Sequence, residues 1–178
     1  MVKNRKSVLK KLHEIDTAMC LFMNCQSNHR IIRQFFKAVS RLGDGIIWYI
    51  LMAAFLFLDG MEGIKAVSHM LIFGATGTLV YKIMKRSVSR PRPFQVNLSI
   101  KNKERALDHF SFPSGHTLHA VIFSLIASIY LPSLFPILIS LTVLIGLSRV
   151  ILGLHYPSDV VVGALIGLLI VKISTFIF

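Results

Sequence analysis

His155 sits six residues after Arg149 and four before Asp159, in the run Ser148-Arg149-Val-Ile-Leu-Gly-Leu-His155-Tyr156-Pro157-Ser158-Asp159. Pro157 suits the first position of a helix, which puts Asp159 in its first turn, within reach of the imidazole. A carboxylate there can hold one ring nitrogen protonated and leave the other free to attack an electrophile. Arg149 and Asp159 are the only full charges between residue 109 and Lys172. Ionisable groups in so apolar a setting are costly and tend to serve function. The plain alternative is a structural ion pair between these two residues.

A second cluster, Phe112-Pro113-Ser114-Gly115-His116-Thr117, opens a long apolar stretch. Ser114 suits a helix N-cap, and Gly115 lets the backbone approach a ligand. Free N–H groups at that helix start point at an anion, with the macrodipole helping. A capped helix with an interfacial His is the plain alternative. A third cluster runs from Lys85 through Arg90-Pro91-Arg92-Pro93, where the prolines bias the backbone away from helix around Arg92. Anchoring charge at a membrane face would also explain it.

Together these groups suit a phosphate. Arg149 and Arg92 can fork onto its oxygens and Lys85 supplies a point charge. His116 adds a fourth cation when protonated, and Ser114 and Gly115 add donors. Fixed cations stabilise the charge of a phosphoryl-transfer transition state. There is no acidic cluster for Mg²⁺ and there are too few cysteines for a thiolate site, so no metal or cofactor is expected. Cys20 and Cys25 are expected to be free thiols packed among apolar side chains.

The elements that must position these residues are membrane helices. The chain has 178 residues, 54% apolar and only 16% charged, with a formal charge of +12. It is too apolar for a disordered chain or a soluble nucleic-acid binder. The forty residues from 109 to 148 contain no Asp, Glu, Lys or Arg, about twice the length of one bilayer crossing. Pro132 and Pro136 divide them into two helices. Five spans are predicted, at 44–59, 64–84, 116–131, 134–150 and 157–178, the first of them short and anchored by Trp48 and Tyr49. The fold class is thus all-α, an integral membrane helical bundle, with residues 44–178 as the membrane domain.

Residues 1–43 read as basic amphipathic helices. Val8, Leu9, Leu12, Ile15, Met19 and Phe22 recur at helical spacing opposite Lys6, Lys10, Lys11, Glu14 and Thr17, and Ile31, Ile32, Phe35, Phe36 and Val39 repeat the pattern. Such helices lie in the interface of an anionic membrane or pack on the membrane domain. No secretory signal peptide is expected.

At its three clusters the sequence resembles the type 2 phosphatidic acid phosphatase superfamily, membrane lipid phosphate phosphatases related to vanadium haloperoxidases. Lys85-x6-Arg92-Pro93, Pro113-Ser114-Gly115-His116 and Ser148-Arg149-x5-His155-x3-Asp159 carry the resemblance, at the family's spacing and in its order. It implies that His155 attacks phosphorus to form a phosphohistidine, Asp159 orients His155, and His116 protonates the leaving oxygen. Lys85, Arg92, Ser114, Gly115 and Arg149 would bind the phosphate oxygens. The implied substrate is a lipid phosphate or diphosphate. Undecaprenyl diphosphate comes first, with phosphatidylglycerophosphate, phosphatidic acid and a lipid A phosphate as alternatives. Membrane lipids are the expected partners, with no nucleic acid, and the location is the cell inner membrane.

The resemblance implies a periplasmic or outer-face site, whereas the surplus of Lys and Arg on the site side argues for the cytoplasm. Part of that charge is catalytic or lies on interfacial helices, and the outward face is the one expected. An anion channel or headgroup-binding scaffold using the same basic pocket is the competing class. A soluble haloperoxidase conflicts with the forty-residue uncharged run.

Overall fold

The computed structural model describes residues 2–106 and 108–178, with the side chains of 2–6, 8 and 9 outside that description. Val8 and Leu9 of the N-terminal apolar stripe, and Lys3, Arg5 and Lys6 of its basic charge, therefore fall outside it. Eight α-helices are present among the described residues: α1 (Val2–Gln26), α2 (Arg30–Arg41), α3 (Ile47–Leu58), α4 (Gly60–Val88), α5 (Pro93–Val96), α6 (Gly115–Tyr130), α7 (Phe135–Ile151) and α8 (Pro157–Ser174). A π-helical turn, Leu42–Ile46, joins α2 to α3 and is kinked at Gly45, whose φ of 131° is non-helical.

Among the described residues four segments are long and apolar enough to cross a membrane, by length and composition: Arg30–Leu58, Gly60–Val96, Pro132–Ile151 and Pro157–Ser174. The shorter apolar helix Gly115–Tyr130 lies among them. The expected spans match these elements, and the first, predicted at 44–59, is preceded by α2 across the kink at Gly45. Pro132 and Pro136 do end one helix and begin the next, through a short 3₁₀ turn at Pro132–Leu134.

Helix α6 is the hub, packing against α4, α7 and α8. Small residues let the backbones close, as expected where no water drives association. A Cβ on Gly163 of α8 would meet the Ser114 carbonyl oxygen at 2.6 Å, and one on Gly167 would meet the Leu118 carbonyl oxygen at 2.9 Å. Gly163 thereby seats the start of α8 against the start of α6. Outward, Ile50, Phe57, Leu71, Leu79, Val143, Leu165 and Leu169 are exposed. That apolar coat needs lipid rather than water around it.

The N-terminal helices dock on α7 and α8. On α1 the described part of the apolar stripe does not make the contact: Leu12, Ile15, Met19 and Phe22 are exposed, while Asp16, Cys20 and Asn24 are buried, as is Ser27 just beyond the helix. The polar side faces the protein and the apolar side is exposed. Cys25 corrects one expectation. Cys20 is buried, but Cys25 is exposed, because it lies off the docking stripe.

Candidate active site

Ser114 caps α6, its side chain accepting from the Thr117 N–H, and Pro157 opens α8 one residue after the extended Tyr156. These two helix starts lie side by side, and the Ser114 N–H donates to the Asp159 carbonyl oxygen at 3.0 Å. Between α7 and α8 the chain turns through Gly153, at φ 79°, a conformation that favours glycine. A Cβ there would also meet the Lys101 carbonyl oxygen at 2.8 Å. This turn presents His155.

The His155 ring is buried, with its two nitrogens in different company. Nε2 faces Arg92 Nη1 at 3.4 Å. Nδ1 faces Asp159 Oδ2 at 3.7 Å and has no hydrogen-bond partner. The arrangement suits a neutral ring, with a proton on Nδ1 toward the carboxylate and a lone pair on Nε2 toward the cations. Burial first, and then the charges of Arg92, Arg149 and Lys85, hold this imidazole well below its ordinary pKa.

Each surrounding cation is fixed by the backbone, an acid or a hydroxyl. Lys85 donates to Asp108 Oδ2 at 2.6 Å and to the Phe110 carbonyl oxygen at 3.2 Å. Arg92 donates from Nε to the Asp108 carbonyl oxygen and from Nη1 to the Leu154 carbonyl oxygen. Arg149 donates from Nη1 to Ser40 Oγ, while its buried Nε has no partner. Burial pushes the Asp108 carboxyl up, but the Lys85 hydrogen bond and the charges of Lys85 and Arg92 outweigh it and hold Asp108 below the usual range. No Arg149–Asp159 ion pair forms. Asp159 pairs instead with Arg90, at 2.7 Å.

His116, in the first turn of α6, pairs through Nε2 with Asp44 Oδ1 at 2.6 Å. Asp44 comes from the π-helical turn before α3. Beside this pair opens a cleft of about 420 Å³ between α3, α4 and α6, with Asp44, Asp108, Gly115 and His116 at its head. Deeper, its walls turn apolar, with Trp48, Met52, Met70, Leu71 and Phe123. The Trp48 N–H is buried there without a partner.

The structure thus brings Lys85, Arg92, Ser114, Arg149, His155 and Asp159 to one end of the bundle, with Gly115 and His116 at the adjoining cleft. Sequence reasoning missed Asp44, Asp108, Ser40, Arg90 as the partner of Asp159, and Asp16, which pairs with Arg90 at 2.8 Å. A signal for one of these existed: Asp16, Cys20 and Asn24 recur every four residues, a polar stripe opposite the apolar one. Asp44 stands alone between two glycines and carried no such signal. Among the described residues no group of three or more His, Cys, Asp or Glu is arranged to hold a metal ion.

The model of the PAP2 superfamily matches residues 65–178. Phosphatidylglycerophosphatase B of Bacillus subtilis (strain 168) is 33% identical over 112 residues, which cover 57% of this chain and 52% of that protein. The match therefore spans about half the length of that relative. Lipid A 1-phosphatase of Rhizobium etli is 24% identical over 156 residues, 76% of this chain and 67% of its own. The crystal structure of Aquifex aeolicus LpxE superposes with a TM-score of 0.76 at 27% identity, covering 89% of this chain and 93% of that one. The transmembrane PAP2 type phosphatidylglycerolphosphate phosphatase of Bacillus subtilis gives 0.75 at 24% identity, over 94% and 86%, a likeness of fold. These likenesses agree with a multi-pass membrane bundle, and because the family's match takes in every one of the three clustered motifs, the chain belongs to the PAP2 superfamily.

Proposed function

We propose that this protein is a lipid phosphate phosphatase that works through a phosphohistidine. The observation that carries the reading is His155: a buried neutral imidazole whose Nε2 faces Arg92 while Nδ1 faces Asp159. Nε2 attacks the terminal phosphorus, and its bond to the leaving oxygen breaks, the ester oxygen of a lipid phosphate or the bridging oxygen of a lipid diphosphate. Arg92, Arg149, Lys85 and the Ser114-Gly115 helix start take the charge on the non-bridging oxygens. His116 gives a proton to that leaving oxygen. It then takes one from water as that water attacks the phosphohistidine, releasing orthophosphate and restoring His155. Asp44 Oδ1, 2.6 Å from His116 Nε2, fixes the ring of His116. The acids near the cup are already committed, Asp108 to Lys85 and Asp159 to Arg90, which supports chemistry without a metal.

The cleft supports a lipid substrate. Its polar head adjoins His116 and its apolar walls descend between α3 and α4, so a headgroup can enter the cup while the tail stays among Met52, Met70 and Phe123. The orphan N–H of Trp48 offers that lipid a donor below the phosphate. Undecaprenyl diphosphate heads the substrates to test. Names of relatives add phosphatidylglycerophosphate, a lipid A 1-phosphate and, from Mycobacterium tuberculosis, decaprenylphosphoryl-5-phosphoribose. We place the protein in the inner membrane with the site outward, which puts the C-terminus, one crossing later, in the cytoplasm. A C-terminal reporter fusion reads that directly.

The deciding experiment is phosphate release from this panel by purified protein in detergent with EDTA. Release that persists with chelator, vanishes in His155→Ala and is inhibited by vanadate, a mimic of the transferring phosphoryl group, is expected. A requirement for Mg²⁺ removes the metal-free mechanism, and full activity in His155→Ala removes the phosphohistidine.

A further inference from the structure

Asp16 is almost completely buried, at 3% exposure, on a helix that lies outside the family-matched residues 65–178. A buried carboxylate is costly unless paired and hydrogen-bonded. This one is satisfied by Ser158, three residues after the reacting histidine, and by Arg90, the partner of Asp159. Its Oδ1 accepts from the Ser158 N–H at 3.0 Å, and its Oδ2 accepts from Arg90 Nη2 at 2.8 Å and from the Ser158 hydroxyl. Arg90 in turn donates from Nη1 to Asp159 Oδ1 at 2.7 Å and to Ser158 Oγ at 2.8 Å. Below, its guanidinium lies 4.0 Å from the centre of the Tyr156 ring. Arg90 is therefore held on three sides.

The consequence falls on Asp159. Its Oδ1 is occupied by Arg90, so Oδ2 is left for the Tyr156 N–H, at 2.9 Å, and for the His155 ring. Without Asp16, the fork of Arg90 is free to take both oxygens of Asp159, as planar guanidinium–carboxylate pairs favour. Oδ2 would then turn from His155. Two further contacts from the same face of α1 hold the same loop: Cys20 Sγ donates to the His155 carbonyl oxygen at 3.4 Å, and Asn24 Nδ2 donates to the Ile151 carbonyl oxygen at 2.9 Å. Burial, and then the charges of Asp159 and Asp16, push the Cys20 thiol up to about 12, so it stays a donor.

We infer that Asp16 is a positioning residue for the reaction, splitting the guanidinium of Arg90 between two carboxylates and so keeping Asp159 turned toward His155. The inference rests on the phosphohistidine reading above. It makes the N-terminal helix part of the reacting unit rather than a membrane anchor alone.

Rapid-quench kinetics on the full chain in detergent, with a ³²P-labelled lipid phosphate, test it. The burst amplitude counts active sites and the burst rate reports phosphohistidine formation. Asp16→Asn keeps an acceptor for the Ser158 N–H but loses the charge. It is expected to slow the burst and kcat together by about 10- to 100-fold, the scale of a small misplacement of a reacting group, with KM within about twofold and the amplitude retained. Asp16→Glu is expected to recover part of the rate, and Cys25→Ser, exposed on the same helix, to match wild type. A burst rate within twofold of wild type in Asp16→Asn overturns the inference. So does a loss confined to amplitude or melting temperature, which marks a purely structural role. Where Asp16→Asn yields no folded protein, Arg90→Lys, which keeps charge but loses the fork, decides on the same readouts. Wild-type protein that forms no label at all sinks the phosphohistidine reading instead, a result distinct from normal labelling in both enzymes.

Discussion

His69 and His155 are both buried imidazoles, each only 1% exposed, at opposite ends of the bundle. Along α4, His69 lies about 24 Å from Lys85. Its Nδ1 pairs with the Tyr130 hydroxyl at 3.2 Å and its Nε2 with Ser174 Oγ at 2.8 Å, and the ring stacks on Phe178 at 4.3 Å between centroids. Every polar atom of that ring is used within the protein. His155 has the reverse character: Nδ1 has no hydrogen-bond partner, Nε2 meets a cation, and the Nε of nearby Arg149 is also unpartnered. Leaving a buried donor unmade costs about 1–3 kcal/mol. Unpaired polar atoms on one side and saturation on the other separate the proposed site from a histidine that only ties helices together.

Swapping the two imidazoles for a methyl group is the strongest way to break this contrast. His155→Ala is expected to lower turnover by about 10³-fold or more with the melting temperature unchanged or raised, because a crowded, cation-flanked ring is gone. His69→Ala is expected to keep turnover within about threefold and to lose about 2 kcal/mol of stability from its two hydrogen bonds and stacking. Phosphate release and thermal melts in detergent check both. Equal losses of activity would erase the distinction.

Arg149→Lys sharpens it. The charge stays but the orphan Nε and the fork are lost, so kcat is expected to fall about 100-fold, comparable to losing one oxyanion donor. A change of less than about threefold would mean that Arg149 holds Ser40 rather than the phosphate.

The smallest effect is on stability against pH. His155 titrates below its unfolded value of about 6.5. Between those two pKa values the unfolded chain binds more protons than the folded one, so stability falls as the pH drops below about 6.5 and is fully restored above it. Asp108 adds a second loss at lower pH, because its depressed carboxyl stabilises the fold only while ionised. In phosphate-free buffer, melts between pH 7.5 and 5 are expected to slope downward for wild type and less steeply for His155→Ala. Parallel slopes would mean that His155 is not held neutral.

Much of this molecule was legible from the chain alone. The apolar runs gave the spans because bilayer thickness sets a length that sequence displays directly. Ser114 and Pro157 gave the two helix starts, because capping is local chemistry. The three motifs gave Lys85, Arg92, Ser114, Gly115, His116, Arg149, His155 and Asp159 as one set of residues. For α1 the pattern left two readings open, since amphipathicity announces an apolar face without saying whether protein or lipid will meet it. Here the exposed Phe22 and the buried Asp16 reverse the usual reading of a docked helix.

The partners of the charged residues belonged to the tertiary structure. Asp16 reaches Ser158 across 142 residues of chain, Asp44 reaches His116 across 72, and Arg90 reaches Asp159 across 69. An ion pair carries no local periodicity and no length signature. It is fixed only when helices dock, and here that docking depends on close approaches such as Gly163 against Ser114. Sequence determined which residues could do the chemistry and that they lie near helix ends in a membrane. Packing decided which acid faces which histidine, because only the folded chain sets the ångström distances at which a buried charge finds its counterpart.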